Sequence, residues 1–388
     1  MINKKKISLI RIFILLFFGS LILGQFQRIQ VTPQIAFYLH DILLGIIYLL
    51  ALRYIKKPIR IPKNYHSYIK SFIFFLTSLV ISLLLWTGNR EINVLLGSLY
   101  LLRFIFYSLI FPTFYILRKN KVITKSLLFS LLIVGVGLML TGLIQRIFIP
   151  DTRNFVLLGW DNHLYRSIGS LLDPNFLGLI LVLTLIIAKQ LKFKHKSAII
   201  GFLLLTLLFT YSRSSFVAFI IAVITLGIQK ANKKIISFSI GVIVIGALLL
   251  PRPGGEGIKL ERTASITSRL ESQKKSLQIF QSHPIFGIGF NNYKAFVSNS
   301  VKYDFVPSHP SGPDNSFLLV LITTGIIGSS AFIVFVYYLL KTYQKDAIVI
   351  PSVVAIAIHS MFNNSIFYPW ILIWMFILLS ESTLREHS

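Results

Sequence analysis

Long apolar runs separated by short polar segments make up most of this chain of 388 residues. About 20 apolar residues, in a helix that rises about 1.5 Å per residue, cross a hydrocarbon layer of about 30 Å. The runs that approach or reach this length lie at about 8–25, 35–52, 68–87, 92–117, 126–149, 171–190, 197–212, 215–229, 235–250, 315–340, 347–363 and 366–381. The pattern predicts an all-α fold, a polytopic transmembrane helical bundle of about 12 spans, with residues 1–388 forming a single integral membrane domain.

The longest polar stretch, residues 251–314, lies between two of these runs. We expect it to form one large loop that contains short helices. Within it, SITSRLESQKKSLQIF (265–280) has the spacing of an amphipathic helix that lies on the membrane surface. Its predicted apolar face consists of Ile266, Leu270, Leu277 and Phe280. Its candidate N-cap is Ser265 or Thr267. After this helix, GIGF (287–290) provides glycine backbone that another group can approach closely.

Lysine and arginine are distributed unevenly between the two ends of the predicted spans. The chain has 39 of them against 13 acidic residues, a formal net charge of +26. With a cytoplasmic N terminus, every basic cluster between spans falls on the cytoplasmic side, as the positive-inside rule requires. These clusters lie at 4–6, 53–63, 118–125, 192–196, 230–234 and 341–345. Both termini are then cytoplasmic and the loop 251–314 is extracytoplasmic. Most of the charge is a topology signal, so we do not expect nucleic acid as a partner.

Ionisable residues inside the apolar runs form a further group. Arg103 lies near the middle of a predicted span, where it is expected to face the bundle or line a cavity. His40 and Asp41 form an intramembrane pair suited to a structural role or to a proton relay. The chain has no cysteine, which excludes disulfides and thiolate chemistry. Histidines and carboxylates lack metal-ligand spacing, and we predict neither a metal nor another cofactor.

Five residues stand out on the predicted outer side: Arg166, Arg213, Arg269, His309 and Asp314. A guanidinium binds phosphate oxygens bidentately and keeps its charge, so converging arginines would suit a diphosphate head group at the membrane surface. Each residue also has a structural interpretation. Arg213 could snorkel from a span end, Arg269 could face solvent, and Arg166 could pair with a nearby aspartate. His309 is by default an exposed loop histidine, and Asp314 could cap the next helix.

The order of the motifs around these residues is informative. DPNFLG (173–178) opens one span after an arginine, and TYSRSSF (210–216) connects two spans. SRLESQKKSLQIFQSHPIFGIGFNNY (268–293) then leads to DNSFLLVLITTGIIG (314–328). Over roughly residues 140–330, this order resembles the O-antigen ligase and Wzy-type polysaccharide polymerase family of bacterial membrane glycosyltransferases. Each motif alone is loose, whereas their combination in this order is fairly specific.

The resemblance implies a metal-independent, inverting transfer of a glycan from an undecaprenyl-diphosphate donor to an acceptor hydroxyl. The reaction would take place on the outer face of the bacterial cytoplasmic membrane. Arg213 and Arg269 match arginines that hold the diphosphate in the family, and Arg166 fits the basic position before the PN motif. The family has a His-Asn pair where the loop enters the next span, whereas this chain has Asp314-Asn315, with His309 five residues before Asp314. The resemblance therefore implies a catalytic base that is either His309 or Asp314.

Two reactions use such a donor. The leading prediction is a polymerase that joins lipid-linked repeat units into a capsular, exopolysaccharide or O-antigen-like polymer. A ligase that moves finished glycan to a lipid or wall acceptor is the first alternative. The expected partners are the undecaprenyl-diphosphate-linked oligosaccharide, the glycan acceptor and membrane lipid, with a flippase and a chain-length regulator as further candidates. A lipid-linked-sugar transporter or flippase is the alternative from another class. Repeat symmetry and matching broken helices would indicate it, and neither is visible in the sequence.

Overall fold

In the computed structural model, the described part of the protein is a bundle of α-helices with a short β-hairpin. The structure describes residues 4–32, 35–55, 62–86, 94–158, 160–230, 233–251, 258–259, 264–299 and 312–385. The α-helices are α1 (Lys4–Ile22), α2 (Leu39–Ala51), α3 (His66–Leu84), α4 (Val94–Ser108), α5 (Ile110–Lys119), α6 (Leu127–Phe148), α7 (Pro174–Gln190), α8 (Lys196–Phe209), α9 (Arg213–Gln229), α10 (Lys233–Leu249), α11 (Ala264–Ser282), α12 (Tyr293–Asn299), α13 (Ser316–Thr342), α14 (Val349–Ser360) and α15 (Pro369–Arg385). The antiparallel strands are β1 (Arg28–Thr32) and β2 (Ile35–Tyr38).

The predicted all-α membrane fold is confirmed, and each predicted span contains a helix. Among the described residues, the helices that are long and apolar enough to cross a membrane are His66–Leu84, Leu95–Lys119, Leu127–Phe148 and Ser316–Thr342. Several other apolar helices are shorter, with 10–17 residues. The run 35–52 shows one reason: its first residues form β2, and the Asp41 carboxylate accepts the Tyr38 N–H at 3.0 Å where α2 begins. The number of twelve spans stays a prediction.

The described helices pack around a large apolar core with smaller apolar clusters beside it, and their ends gather in two groups. α13 lies along α3, α14 along α9, and α15 along α5. One group of ends includes the end of α1 and the start of α15, where Trp370 Nε1 donates to Leu21 O at 2.9 Å. The other group contains the predicted cytoplasmic segments. There Arg118 Nε lies 3.1 Å from the buried Glu381 carboxylate, so two helix ends are joined by an ion pair.

The helix predicted at 265–280 is present as α11, but it begins at Ala264. Ser265 and Thr267 therefore lie inside the helix, and the prediction that one of them is the N-cap was wrong. The first residue of the helix could not be predicted from its serine and threonine residues, because both residue types occur within a helix as well as at its start.

Part of the predicted apolar face of α11 points away from the protein, and its position on a membrane surface stays a prediction. Leu270 and Leu277 are 53% and 45% exposed, whereas Ser272 and Ser276 are buried. The buried serines lie beside the buried Tyr293 ring. Small side chains face the protein here because a large neighbour needs the space, and the two leucines face outward as a result.

The glycines of GIGF do permit a close approach, and the partner is α13. Gly287 has a φ of +68° and Gly325, within α13, has a φ of +64°. A Cβ on Gly325 would lie 2.2 Å from Ile285 O. In addition, Ile326 N donates to Pro284 O at 2.8 Å. Main-chain contacts thus hold the segment that follows α11 against the kink in α13.

Candidate functional site

Three long helices begin at the same end of the bundle, each with a polar N-cap. Asp173 caps α7 by accepting from the N–H of Asn175 at 2.6 Å and of Phe176 at 3.0 Å. Ser212 caps α9, and the side chain of Asn315 caps α13. A helix start carries a partial positive charge of about half an elementary charge, which favours a nearby anion.

A chain of hydrogen bonds joins the start of α7 to the start of α9. Ser212 Oγ donates to Asn175 Oδ1 at 2.8 Å and lies 3.1 Å from Ser214 Oγ. Ser215 Oγ donates to Asn175 O at 3.2 Å. Because these serines flank Arg213, they fix the backbone that carries its side chain.

A buried polar cluster at the end of α14 extends this network. Asn363 Nδ2 donates to Ser214 Oγ at 3.0 Å, and Asn363 O accepts from Ser316 Oγ at 3.1 Å. His359 Nδ1 lies 2.6 Å from Ser365 Oγ, and His359 Nε2 lies 3.5 Å from Asn363 Nδ2. These partners suit a neutral histidine that donates through Nδ1 and accepts at Nε2. The cluster ties the start of α9 to the start of α13.

Arg213, Arg269 and Asp314 lie together beside this network. Arg269 Nε is 3.4 Å from Asp314 Oδ2, with the two side chains 28% and 19% exposed. Arg213 is close enough to Arg269 for their charges to interact. Among the described residues, this region contains two guanidinium groups and one carboxylate, and solvent reaches it. Such a region can bind a phosphate-bearing group.

Arg166 lies deeper than the other two arginines. Its side chain is 6% exposed, and its Nε donates to Thr210 O at 2.8 Å. The next residue, Ser167, donates its N–H to Phe209 O at 2.8 Å. Arg166 therefore supports the turn that leads into Arg213. A direct contact between Arg166 and a diphosphate stays a prediction.

The structure brings three of the five predicted site residues together: Arg213, Arg269 and Asp314. Arg166 lies behind them against the turn, and His309 lies outside the described residues. Asp314 does not cap α13, since Asn315 does, and its carboxylate is available to Arg269 for that reason. Among the residues that the structure describes, no three His, Cys, Asp or Glu side chains form a group that could hold a metal ion, so we assign no metal ligands.

Sequence reasoning missed His359, Asn363 and Ser214. A signal was present, because HSMFNNS (359–365) places several polar residues directly after an apolar run, and buried polar groups in a membrane protein need partners. The run alone could not identify those partners. Ser214 lies 149 positions from Asn363, and Ser316 lies 47 positions from it.

Comparison with known families concerns the same part of the chain. Residues 198–333 match the family model described as O-antigen ligase (Wzy_C). The match includes Arg213, Arg269 and Asp314, whereas Arg166 and the α14 cluster lie outside it. No curated protein matches the chain. Members of this family are glycosyltransferase-like membrane enzymes that act on lipid-linked glycans and their acceptors. The resemblance indicated by the sequence motifs is confirmed: residues 198–333 of the chain are similar to the O-antigen ligase family.

Proposed function

We propose that this protein is a polysaccharide polymerase that transfers glycan from undecaprenyl-diphosphate-linked repeat units to the sugar hydroxyl of an acceptor. The observation that carries the proposal is the convergence of Arg213, Arg269 and Asp314 next to the starts of α9 and α13. Phosphate oxygens are favourable ligands for guanidinium groups and for helix starts alike. The site therefore suits a diphosphate that is anchored in the membrane.

The chemistry assigned to these residues is an inverting displacement. The acceptor oxygen attacks the anomeric carbon, a new C–O bond forms, and the bond to the diphosphate breaks with its electron pair. Negative charge develops on the departing diphosphate, where Arg213 and Arg269 stabilise it by several kcal/mol. The hydroxyl proton passes to a base, for which the candidates are His309 and Asp314. No metal takes part in this proposal.

The ion pair between Arg269 and Asp314 gives the site a resting state. At 3.4 Å it is long and partly exposed, and an exposed pair of this kind contributes little stability, about 1 kcal/mol or less. A diphosphate competes with Asp314 for the guanidinium. Its arrival releases the Asp314 carboxylate near the donor, where the carboxylate can receive a proton.

Single substitutions of Arg213 and Arg269 test the proposal. Arg213→Ala and Arg269→Ala should each slow glycan transfer by about 10²- to 10³-fold, because each removes one fixed charge at the leaving group. Cell polysaccharide separated on a gel should then show loss of long chains and accumulation of single repeat units. Arg153→Ala is the matched control, since Arg153 is 59% exposed and paired with the neighbouring Asp151. Normal long chains in both arginine variants would contradict the site assignment.

Ligation is the second candidate function, and the description of the matched family as O-antigen ligase favours it. A ligase uses the same donor but moves finished glycan to a lipid or wall acceptor. The same variants separate the two reactions. Long polymer that stays attached to its lipid indicates ligation, and single lipid-linked repeat units indicate polymerisation.

The proposed setting is the bacterial cytoplasmic membrane, with both termini in the cytoplasm. The loop 251–314 then lies on the extracytoplasmic side of a single membrane domain. The supporting observation is that the basic segments and the arginine site lie at opposite groups of helix ends. A donor carried on an undecaprenyl chain can reach the site from the outer leaflet in this arrangement.

A further inference from the structure

A groove separate from the arginine site runs between α2 and α4, next to the β-hairpin. Its volume is about 690 Å³. Its lining is largely apolar and includes Ile35, Phe37, Ile42, Leu99, Leu102 and Ile105. Phe37, Ile42 and Leu102 are 44%, 51% and 60% exposed, so the groove opens at the surface. On a membrane protein such a surface faces lipid tails.

The groove also has a polar part, formed by Arg28, Arg103 and Asp41. The Asp41 carboxylate is well occupied: Oδ1 accepts from Tyr107 Oη at 2.5 Å, and Oδ2 accepts from Tyr38 N at 3.0 Å. Arg103 Nη2 lies 3.4 Å from Asp41 Oδ2. Among the described residues that line the groove, two guanidinium groups and one carboxylate give its polar part a positive charge.

Arg103 is held in place but retains donors. Among the described residues it donates through Nη2 only, to Ala36 O at 2.5 Å and to Asp41. Its guanidinium lies over the Tyr38 ring, 5.5 Å from the centroid. Arg28 lies over the Trp160 ring at 5.7 Å. Both cations are thus positioned by packing, and their remaining N–H groups suit a phosphate.

A short path of contacts leads from the groove to the arginine site. Tyr38 lines the groove and donates from Oη to Gln25 Oε1 at 3.2 Å. Gln25 Nε2 donates to Tyr368 Oη at 3.3 Å. The Tyr368 ring stacks on Phe176 at 3.8 Å, directly after Asn175 at the start of α7. The groove and the arginine site therefore lie at the same end of the bundle.

The geometry points to a second lipid site: the groove holds the tail and the phosphate of the acceptor, itself a lipid-linked glycan. This inference rests on the proposed function, which assigns the donor to Arg213 and Arg269. Lipid tails supply the apolar contacts, and Arg28 and Arg103 supply the positive charge for the head group. A single groove between two helices fits one long tail, as in a polyprenyl phosphate, better than the two tails of a phospholipid. Two lipid-linked substrates bound at one end of the bundle are what polymerisation requires.

Filling the groove tests the inference directly. Gly45 lines the groove, and a Cβ built there meets only Phe106 Cζ at 3.9 Å. Gly45→Leu should therefore place a side chain in the groove without disturbing the backbone. The matched control is Gly201→Leu in α8, where nothing lies within 4 Å of the added Cβ. Leu102→Trp fills the groove from α4 and is the second groove variant, to be used if Gly45→Leu fails to fold.

The measurement is native mass spectrometry of the full-length protein with undecaprenyl phosphate as the probe. We expect two bound lipids for the wild type and for Gly201→Leu, and one for Gly45→Leu, with groove affinity at least about tenfold weaker. Two bound lipids in both groove variants would overturn the inference. Equal occupancy of the groove by phosphatidylglycerol would overturn it as well, because the groove would then be an ordinary lipid contact.

Failure of the proposed function gives a different result. An Arg213→Ala, Arg269→Ala double variant should lose the other lipid and keep the one in the groove. If that double variant still transfers glycan, the arginine site is misassigned while the groove count is unchanged. If the double variant loses glycan transfer but the groove variants still bind two lipids, the donor site is supported and the second lipid site is not.

Discussion

Ser214 illustrates how the site depends on residues that have no chemistry of their own. Its hydroxyl accepts from Asn363 and lies next to Ser212, so one small side chain connects α14 to the start of α9. The adjacent Arg213 could be recognised from sequence, because an arginine on the outer side runs against the basic bias of the other loops. Ser214 and Asn363 could not be recognised from sequence, because each has its role only through contact with the other, which lies far away along the chain.

The buried His359 should be needed for stability and for a fixed site. His359→Leu leaves Ser365 Oγ and one Asn363 hydrogen bond without the histidine partner, and each unsatisfied buried group costs about 1–3 kcal/mol. We expect a lower melting temperature in detergent and slower glycan transfer. His66→Leu, at the exposed start of α3, is the matched control. A His359→Leu protein that melts and reacts like the wild type would show that this cluster does not support the site.

Helix α13 connects several parts of the candidate site. It begins beside Asp314, it packs along α3, and its kink at Gly325 receives the segment that follows α11. Through that segment the kink anchors the helix that carries Arg269. The sequence predicted both helices and the glycine-rich approach. The partner was not predictable, because a helix kink is a property of backbone that only the packed structure fixes.

Gly325→Ala should disrupt this anchor. Gly325 has φ +64° and ψ −163°, a backbone region that is nearly restricted to glycine and that costs another residue about 1–3 kcal/mol. In addition, the new Cβ would lie 2.2 Å from Ile285 O. We expect a clear drop in melting temperature together with reduced transfer. Gly241→Ala in α10 adds a Cβ that meets nothing within 4 Å, so it should be neutral or slightly stabilising. Equal behaviour of the two variants would mean that the kink is not an anchor.

At the scale of the whole molecule, the two groups of helix ends have opposite roles. One contains the capped helix starts, the arginines and the groove, and the other contains the basic segments and the Arg118–Glu381 ion pair. This division follows from consecutive helices that run up and down, because alternate loops then meet at the same end. Under the proposed function, this division places the donor site and the acceptor groove within one leaflet of the membrane.

The absence of cysteine from the chain makes this arrangement testable. Gln278→Cys in α11 and Lys194→Cys between α7 and α8 each place one thiol at an exposed position. With a membrane-impermeant maleimide on intact spheroplasts, we expect labelling of Gln278→Cys at once and of Lys194→Cys only after lysis. The reverse pattern would place the arginine site in the cytoplasm and contradict a reaction at the outer face.

By itself, the sequence determined the membrane class, the approximate helices and the arginines worth examining, because hydropathy, helix length and charge bias are local properties that a single chain displays. Tertiary structure decided which polar groups meet: it paired Arg269 with Asp314, set Arg166 behind Arg213, and buried His359 and Asn363 among partners from other helices. Hydrogen bonds and ion pairs act over a few ångströms, and only packing brings residues far apart in the chain within that distance.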